Sequence, residues 1–335
     1  MEIAENCERE QRRLVVECIH RWGNSVAEAL LDPTCQIFTA SNVDGLIGYY
    51  SKGKCAVVFG DPVCAFADRP SLVRAFHDFC DKQKKNIIYL VVSKDFAKWM
   101  HEEGKGSSLE FGEELFLDPR CDPRAKSGKK GILLRGKVRQ ALREGVAVKE
   151  YQNDAPQIEQ KLNEIASEWL EHRHGPQIYI SHIHLFEERF GKRWFYAQQG
   201  DRLIGALVLN QLQARQGWVL DRIMTVPGAP HGTSELMVVT ILESLAKEEC
   251  SFVTFGPNPA PLIGEMLGFG KCTTFLVRNL YKTCRKFFNL ERKRKYWEKF
   301  HPLSAPTFVV FKKPRLGLHE VRCLMHALNV SRKKP

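Results

Sequence analysis

A stretch in the second half of the chain has a hydrophobic pattern that predicts strand, loop, helix and strand in that order. The first strand, 217–225, is mostly apolar but carries one acid and one base at its centre, Asp221 and Arg222. The turn-rich segment that follows ends at Thr233 and Ser234, and either of them is a natural helix N-cap. The helix is indicated by apolar residues at helical spacing, namely Leu236, Val239, Leu242 and Leu245.

The next apolar run, 252–255, predicts a buried strand. The segment 256–261 contains one glycine and three prolines, so it is predicted as a break after that strand. Residues 267–270 read Leu-Gly-Phe-Gly and predict a closing turn before a last strand.

The first half of the chain shows a similar order of elements. A helical pattern over 1–32 is stopped by Asp32-Pro33. Further helices are predicted over 70–84 and 95–103, and strands over 36–40, 45–50, 55–59, 87–92 and 115–117. Beyond the midpoint a helix is predicted over 156–172, with strands over 194–198 and 203–210.

The order of elements over 217–270 resembles the second half of an acyltransferase of the GNAT type. In that fold a strand splays from its neighbour, and the next helix N-terminus offers backbone N–H groups to a phosphate or acyl carbonyl. Because the first half repeats the order, we predict an α/β fold (α+β mixed sheets) with two tandem GNAT-like acyltransferase domains. The predicted divisions are an N-terminal domain 1–150, a C-terminal catalytic domain 151–315, and a C-terminal helix and basic tail 316–335.

Composition indicates a globular protein with an anionic partner. The 335 residues are 44% hydrophobic and 27% charged, no apolar run is long enough to span a bilayer, and no signal peptide opens the chain. The eleven cysteines are scattered without a CxxC pair, which favours a reducing compartment. We therefore expect a cytoplasmic protein. The net charge of +11 favours nucleic acid or an anionic membrane surface as a partner.

The basic residues are concentrated in two segments, 124–143 and 282–299, and the second is interleaved with aromatic residues. Clustered cations neutralise phosphates, and aromatic rings stack on bases or lie at a membrane interface. The competing interpretation of each run is a solvated helix face.

A set of short motifs, taken in order, resembles the C-terminal domain of phosphatidylglycerol lysyltransferases, also known as DUF2156. The resemblance covers roughly residues 35–312. The motifs are Gly60-Asp61-Pro62, Phe111-Gly112-Glu113-Glu114, the basic segment 128–146, Asp221-Arg222-Ile223-Met224, the segment 256–262, and Glu298-Lys299-Phe300-His301-Pro302.

This resemblance implies transfer of an aminoacyl group from aminoacyl-tRNA to a lipid hydroxyl such as that of phosphatidylglycerol. It implies no cofactor beyond aminoacyl-tRNA as co-substrate, and peripheral attachment to the inner face of the membrane. It also implies that the two basic segments meet these substrates, and the residues predicted on this basis to bind tRNA are Lys129, Lys130, Arg135, Arg139, Arg292 and Lys293. Such a transfer needs a group to hold the α-ammonium, a partner for the oxyanion and a route for the hydroxyl proton. The predicted catalytic residues are Asp221, Lys299 and Glu298, and the predicted substrate-binding residues are Arg222, His231, Glu235, Gly256 and Asn258.

The chain departs from the family pattern at two positions. The family has an acid and a base three residues apart, whereas here Arg222 directly follows Asp221, and Trp297 stands where the family usually has lysine. Adjacent strand residues point to opposite faces, so we expect Asp221 and Arg222 not to share a pocket. Two alternatives therefore remain, an acetyl-CoA-dependent N-acetyltransferase and a non-catalytic tRNA- or lipid-binding protein on a GNAT scaffold. Oligomeric state is not predicted.

Two further features leave choices open. His172, His174, His182 and His184 form His-x-His pairs, but no acid or cysteine lies at supporting spacing, so no metal site is predicted. The apolar pattern after Leu316 predicts either a helix docked on the protein or a helix on a membrane surface.

Overall fold

The computed structural model describes residues 2–104, 106–152, 155–172, 183, 185–287, 291–313 and 318–327. The fold is mixed α/β, as predicted, with one large mixed sheet and a GNAT-like strand–helix–strand unit in each half of the chain. The elements of the first half are α1 (Glu2–Trp22), β1 (Gln36–Phe38), β2 (Gly45–Lys52), β3 (Cys55–Phe59), β4 (Val63–Cys64), α2 (Arg69–Lys82), β5 (Asn86–Val92), α3 (Lys94–Glu102), β6 (Ser107–Leu117) and α4 (Gly128–Arg143).

The second half, as far as it is described, continues the sheet and adds five helices on or around it. Its elements are β7 (Val146–Tyr151), α5 (Pro156–Glu171), β8 (Lys192–Gln199), β9 (Arg202–Leu212), β10 (Gly217–Thr225), α6 (Thr233–Lys247), β11 (Val253–Pro259), β12 (Met266–Leu267), α7 (Lys271–Phe287), α8 (Glu291–Trp297), β13 (Leu303–Phe311) and α9 (Leu318–Ala327). Among these helices and those of the first half, as far as the chain is described, none is long and apolar enough to cross a membrane.

The sheet has 13 strands, and its order joins the two halves of the chain directly. The main path runs β1-β2-β3-β5-β13-β6-β11-β10-β9-β8-β7, with β12 paired to β6 and β4 to β2. Strand β13 is the last strand of the second half in sequence, yet it lies between β5 and β6 of the first half. The last strand therefore completes the first half of the sheet, a placement that local sequence pattern does not contain.

Three hydrophobic clusters pack on the sheet. One contains α4, β7 and the elements of the second half, with Trp194 and Leu134 nearly inaccessible to solvent. The other two lie on opposite faces of the N-terminal strands. Helix α4 and strand β7 thus share a core with the second half, although both precede residue 151 in sequence.

The structure corrects several predicted boundaries. The helix expected over 1–32 ends at Trp22 and is followed by a separate 3-10 turn over Ala27–Leu31. The strand expected over 115–117 spans Ser107–Leu117. The predicted break over 256–261 is wrong in part, because β11 continues to Pro259.

The closing turn at residues 267–270 is followed by helix α7, and the expected last strand is absent at that point of the chain. Helix α9 settles the choice left open for the tail, as far as residue 327. Its Cys323 and Ala327 are buried in a core cluster, and Asn86 donates a 2.9 Å hydrogen bond to Glu320. The helix therefore docks on the protein. The remaining tail residues, 328–335, lie outside the described part of the chain.

Candidate active site

Two parallel strands of the second half begin as neighbours and then separate. Strand β10 pairs with β11 through Trp218–Val253 and Val219–Thr254. Beyond this point β10 has a bulge between Leu220 and Arg222, and β11 shifts register against β6 between Thr254 and Pro257. Ligands of open α/β sheets bind where strands diverge at their carboxyl ends, so the gap between β10 and β11 is the candidate site.

Asp221 is the extra residue of the bulge in β10. Leu220 pairs with Leu209 and Arg222 with Val208, which leaves Asp221 without an opposite residue. Nε of Arg222 lies 3.3 Å from Oδ2 of Asp221, and both side chains are mostly buried. The expectation that these two side chains cannot share a pocket is therefore wrong, because the bulge breaks the alternation of the strand.

Gly256 and Asn258 lie on β11, beyond the last residue at which it pairs with β10. Gly256 has a φ of +69°, which favours glycine, and a Cβ at this position would meet no atom within 4 Å. Its N–H donates to Oγ1 of Thr254 at 3.0 Å, and its carbonyl accepts from Nδ2 of Asn258 at 3.2 Å. The backbone of Gly256 is thus already satisfied, and what it offers a ligand is space.

Asn258 keeps one unused hydrogen-bonding atom. The residue is 3% exposed, and its Oδ1 has no partner in the described part of the protein. A buried acceptor without a partner is unfavourable, so this oxygen is available to a donor group brought by a ligand.

Lys299 and Glu235 form a mostly buried ion pair at the first turn of α6. Nζ of Lys299 donates to Oε1 of Glu235, and Oγ of Ser234 donates to Oε2 at 3.0 Å. Burial raises the pKa of Glu235, but the hydrogen bond and charge of Lys299 outweigh it and hold the pKa below its usual value. The two predicted residues are therefore brought together, and Lys299 is not a solvated surface lysine.

An aromatic cluster holds Lys299 in place. Trp297 is 6% exposed and stacks on Phe255 of β11, with ring centroids 4.1 Å apart and planes 8° from parallel. Nζ of Lys299 lies 4.1 Å from the ring centroid of Tyr296, a distance suited to a cation–π interaction. Burial raises the pKa of Tyr296, with Ser234 acting in the opposite direction.

Glu298 lies in a chain of ion pairs at the edge of the site. Its carboxylate accepts from Nζ of Lys130 at 2.9 Å and from Nε of Arg294 at 3.1 Å, and Arg294 also contacts Glu113 at 3.2 Å. The hydrogen bond from Lys130 lowers the pKa of Glu298 most, with Arg294 adding to the effect. These contacts tie α4, α8 and β6 together through Glu298.

The start of α6 differs from the sequence prediction. The N-cap is Gly232, with a φ of +94° and no side-chain capping bond, so neither Thr233 nor Ser234 is the N-cap. Oγ1 of Thr233 instead donates to the carbonyl of Pro230 at 2.7 Å. His231, predicted to contact substrate, is exposed on the loop before the helix.

The residues predicted to bind tRNA fall into separate environments. Lys129 and Arg139 are exposed on α4, whereas Lys130 is paired with Glu298. Arg135 donates to the carbonyls of Arg124 and Lys126 at 2.5 and 3.0 Å, and thus holds the loop before α4. The side chains of Arg292 and Lys293 lie outside the described part of the structure.

The corresponding strand pair in the first half remains closed. Strands β3 and β5 pair from Cys55–Asn86 to Phe59–Leu90, and the N–H of Gly60 extends the ladder to the carbonyl of Leu90 at 2.8 Å. Asp61 then accepts from the N–H and Oγ of Ser93 at 2.9 and 2.6 Å. Burial raises the pKa of Asp61, with Arg69 acting in the opposite direction.

No group of three metal-ligating side chains occurs among the residues that the structure describes. His172 lies within that part, and Nδ1 of its ring contacts the carbonyl of Glu168 at 2.8 Å. His174, His182 and His184 lie outside it.

Sequence reasoning missed the network that supports β11. Oγ1 of Thr254 lies 3.0 Å from both Oε1 of Glu114 and the carbonyl of Leu115, and Arg215 contacts Glu114 at 3.3 Å. Tyr296 and Arg294 were also not assigned a role. The sequence feature that pointed to this network was the Phe111–Glu114 motif. It contributes to the resemblance to the family, but no role is predicted for its two acids, Glu113 and Glu114.

Comparison with solved structures finds two chains with a similar fold. The C-terminal domain (DUF2156) of a candidate lysylphosphatidylglycerol synthetase from Agrobacterium fabrum superposes with a TM-score of 0.76 at 18% identity, covering 95% of this chain and 96% of that chain. The structure of L-PGS from Bacillus licheniformis gives a TM-score of 0.75 at 16% identity, with the same coverage. At these identities the likeness concerns the fold.

Sequence comparison identifies the family. Phosphatidylglycerol lysyltransferases from two strains of Staphylococcus epidermidis are 29% identical over 96 residues, a stretch that is 29% of this chain and 11% of those proteins. The family profile described as "Phosphatidylglycerol lysyltransferase, C-terminal" matches residues 17–311. Since this match spans most of the chain, the protein belongs to the family of phosphatidylglycerol lysyltransferase C-terminal domains.

Proposed function

We propose that this protein transfers a lysyl group from lysyl-tRNA to a hydroxyl of phosphatidylglycerol, in the gap between β10 and β11. The observation that carries the proposal is the bulge that brings Arg222 to 3.3 Å from Asp221 where the two strands diverge, in a chain that belongs to this family. The donor ester is already activated, so the site needs mainly to position substrates and stabilise charge.

The chemistry requires three tasks of the side chains. The acceptor hydroxyl oxygen forms a new ester bond to the aminoacyl carbon, loses its proton, and the tRNA ribose oxygen leaves and takes up a proton. We assign to Asp221 either the holding of the α-ammonium or the acceptance of the hydroxyl proton. The unpartnered Oδ1 of Asn258 supports a second contact to an ammonium group. Arg222, with its Nε 3.3 Å from Oδ2 of Asp221, orients that carboxylate.

The ion pair of Lys299 and Glu235 is assigned to the donor side of the reaction. Nζ of Lys299 lies beside Glu235 in the first turn of α6, where backbone N–H groups also favour negative charge. This arrangement suits an oxyanion or the terminal phosphate of tRNA. Glu298 pairs with Lys130 and so holds α4 against the segment that carries Lys299. We therefore assign Glu298 the role of positioning that segment.

The ion pair at the bulge also bears on the alternatives. The non-catalytic interpretation was supported by the position of Arg222, which differs from the position of the arginine in the family pattern. In the structure the bulge nevertheless brings the guanidinium of Arg222 next to Asp221. The acetyl-CoA alternative is weakened, because the segment 227–234 lacks the usual spacing of glycines and basic residues for a pyrophosphate loop.

The test is transfer of radiolabelled lysine from lysyl-tRNA into detergent-dispersed phosphatidylglycerol. The wild-type protein is expected to produce lipid-soluble label, and Asp221→Asn to reduce the rate at least about a hundredfold, as for loss of a general base or charge partner. Asp201→Asn, in the exposed turn between β8 and β9, is the matched control and should leave the rate unchanged.

Two outcomes would count against the proposal. Lipid label that is equal in wild type and Asp221→Asn would remove this site from the reaction. Absence of lipid label with lysyl-tRNA, together with transfer from labelled acetyl-CoA to an amine, would establish the alternative acetyltransferase.

A further inference from the structure

Helix α4 exposes aliphatic side chains that nothing in the described structure covers. Ile132, Leu133 and Leu142 are 62%, 49% and 55% exposed. They are three of the nine large hydrophobic side chains exposed in the described residues, although α4 has only 16 residues. The opposite side of the helix already packs into the core through Leu134, Val138 and Ala141. The exposed aliphatic residues are therefore not needed to hold the helix on the protein.

The exposed side of α4 is also strongly basic. From Gly128 to Arg143 the helix contains six lysine and arginine residues and no acid. Residues three and four apart lie on one side of a helix, so the basic and aliphatic residues intermix there. We call this surface the α4 outer face, and its exposed residues are Lys129, Ile132, Leu133, Arg139 and Arg143, whereas Leu142 lies at the flank of the helix nearer to its buried side.

The chemistry of the α4 outer face distinguishes two polyanionic partners. Both RNA and an anionic membrane attract lysine and arginine. Proteins that bind RNA bases use aromatic rings for stacking, whereas the exposed apolar residues here are isoleucine and leucine. Aliphatic residues mixed with cations are typical of helices that lie at the interface of an anionic bilayer. We propose that the α4 outer face docks on the surface of an anionic phospholipid bilayer.

The other side of α4 packs directly against the candidate active site. Nζ of Lys130 pairs with Glu298 at 2.9 Å, and Glu298 directly precedes Lys299 in the chain. A Cβ on Gly232, the N-cap of α6, would collide with the carbonyl oxygen of Lys137. A bilayer on the outer face thus lies one helix diameter, about 10 Å, from the first turn of α6.

This inference deepens the proposed function and rests on it for its biological meaning, since a lipid acceptor must reach the site from a bilayer. Its test measures binding and does not depend on catalysis. Transfer to detergent-dispersed lipid tests the reaction without a bilayer, so the two proposals can fail separately.

The experiment is co-sedimentation of the protein with large vesicles of equimolar phosphatidylglycerol and phosphatidylcholine, compared with vesicles of phosphatidylcholine alone. Ile132→Ser/Leu133→Ser is expected to weaken binding to the anionic vesicles at least about tenfold. Arg139→Gln/Arg143→Gln is expected to weaken it about 25-fold, at about fivefold for each charge near the surface. Leu262→Ser is the matched control, because Leu262 is 61% exposed but lies outside α4.

Each result bears on the proposal. Support requires loss of vesicle binding in both α4 variants, unchanged binding in Leu262→Ser, and unchanged melting temperatures. Wild-type vesicle binding by Ile132→Ser/Leu133→Ser would overturn it, as would equal loss in the Leu262→Ser control. The same variants are titrated with bulk tRNA. If Arg139→Gln/Arg143→Gln lost tRNA binding but kept vesicle binding, the face would be an RNA-binding surface.

Discussion

Nζ of Lys299 donates a hydrogen bond to Oε1 of Glu235 across 64 positions of the chain, and both side chains are mostly buried. The pair joins the segment after α8 to the first turn of α6, beside the point where β10 and β11 separate. An ion pair removed from water is sensitive to loss of either partner, because the remaining charge is left uncompensated. The contribution of the pair to the free energy of unfolding can therefore be measured by substituting either residue.

We predict that Lys299→Met lowers the free energy of unfolding by about 3 kcal/mol, since it leaves Glu235 buried without its cation. Glu235→Gln should lower the free energy of unfolding by a similar amount, because it leaves Lys299 buried without its anion. The double variant Glu235→Gln/Lys299→Met should be destabilised by at least about 1 kcal/mol less than the sum of the two single changes. Urea unfolding of the four proteins measures this coupling, and additive effects would show that the pair does not stabilise the fold.

The lowered pKa of Glu235 predicts how stability depends on pH. For a carboxyl whose pKa is lower in the folded state, the contribution to stability is complete above the unfolded value near 4.5 and is lost as pH falls through the folded pKa. The difference in unfolding free energy between wild type and Glu235→Gln should therefore be constant near neutral pH and shrink below about pH 4.5. A difference that stayed the same at low pH would contradict the ionised pair.

Two glycines with left-handed backbone allow a matched comparison. Gly232 and Gly256 have φ values of +94° and +69°, but only at Gly232 would a Cβ collide with backbone, the carbonyl of Lys137. Gly256→Ala should lower the unfolding free energy by about 1–2 kcal/mol through backbone strain. Gly232→Ala should lower the unfolding free energy by roughly 1–3 kcal/mol more than Gly256→Ala does, because α4 must move away from α6. Equal effects in urea unfolding would mean that α4 is not tightly packed at this point.

Trp297 is predicted to be essential for the fold near the site. It stacks on Phe255 and is 6% exposed. Trp297→Lys would place an ammonium group beside Phe255 and should destabilise the protein by about 3–5 kcal/mol. Trp297→Phe preserves an aromatic contact and should have less than about half that effect. Thermal unfolding measures both effects. If Trp297 were at an exposed position that tolerates substitution, neither change would lower the stability of the protein.

Local pattern was sufficient for most helices and strands of this protein. The periodicity of apolar residues predicted α2, α5 and α6 within a few residues, and alternating or continuous apolar runs predicted β2, β3, β5 and β8 to β10. It was sufficient because burial of one face of an element imposes a period of 3.6 or 2 residues on the sequence itself. The order of motifs was in turn sufficient to identify the family, which the match over residues 17–311 confirmed.

The tertiary structure decided the features that give the site its form. The insertion of β13 between β5 and β6 joins segments about 200 residues apart, and no local period encodes such a pairing. The continuation of β11 through Gly256 and Pro257 also depends on the neighbouring strand. A glycine- and proline-rich segment does not favour an extended strand by itself, and the hydrogen bonds from β6 supply the missing stabilisation. Adjacent residues such as Asp221 and Arg222 meet because a bulge, set by the pairing of β10 with β9, interrupts strand alternation. Lys299 meets Glu235 because Trp297 packs on Phe255, a contact between distant segments that only the folded chain brings together.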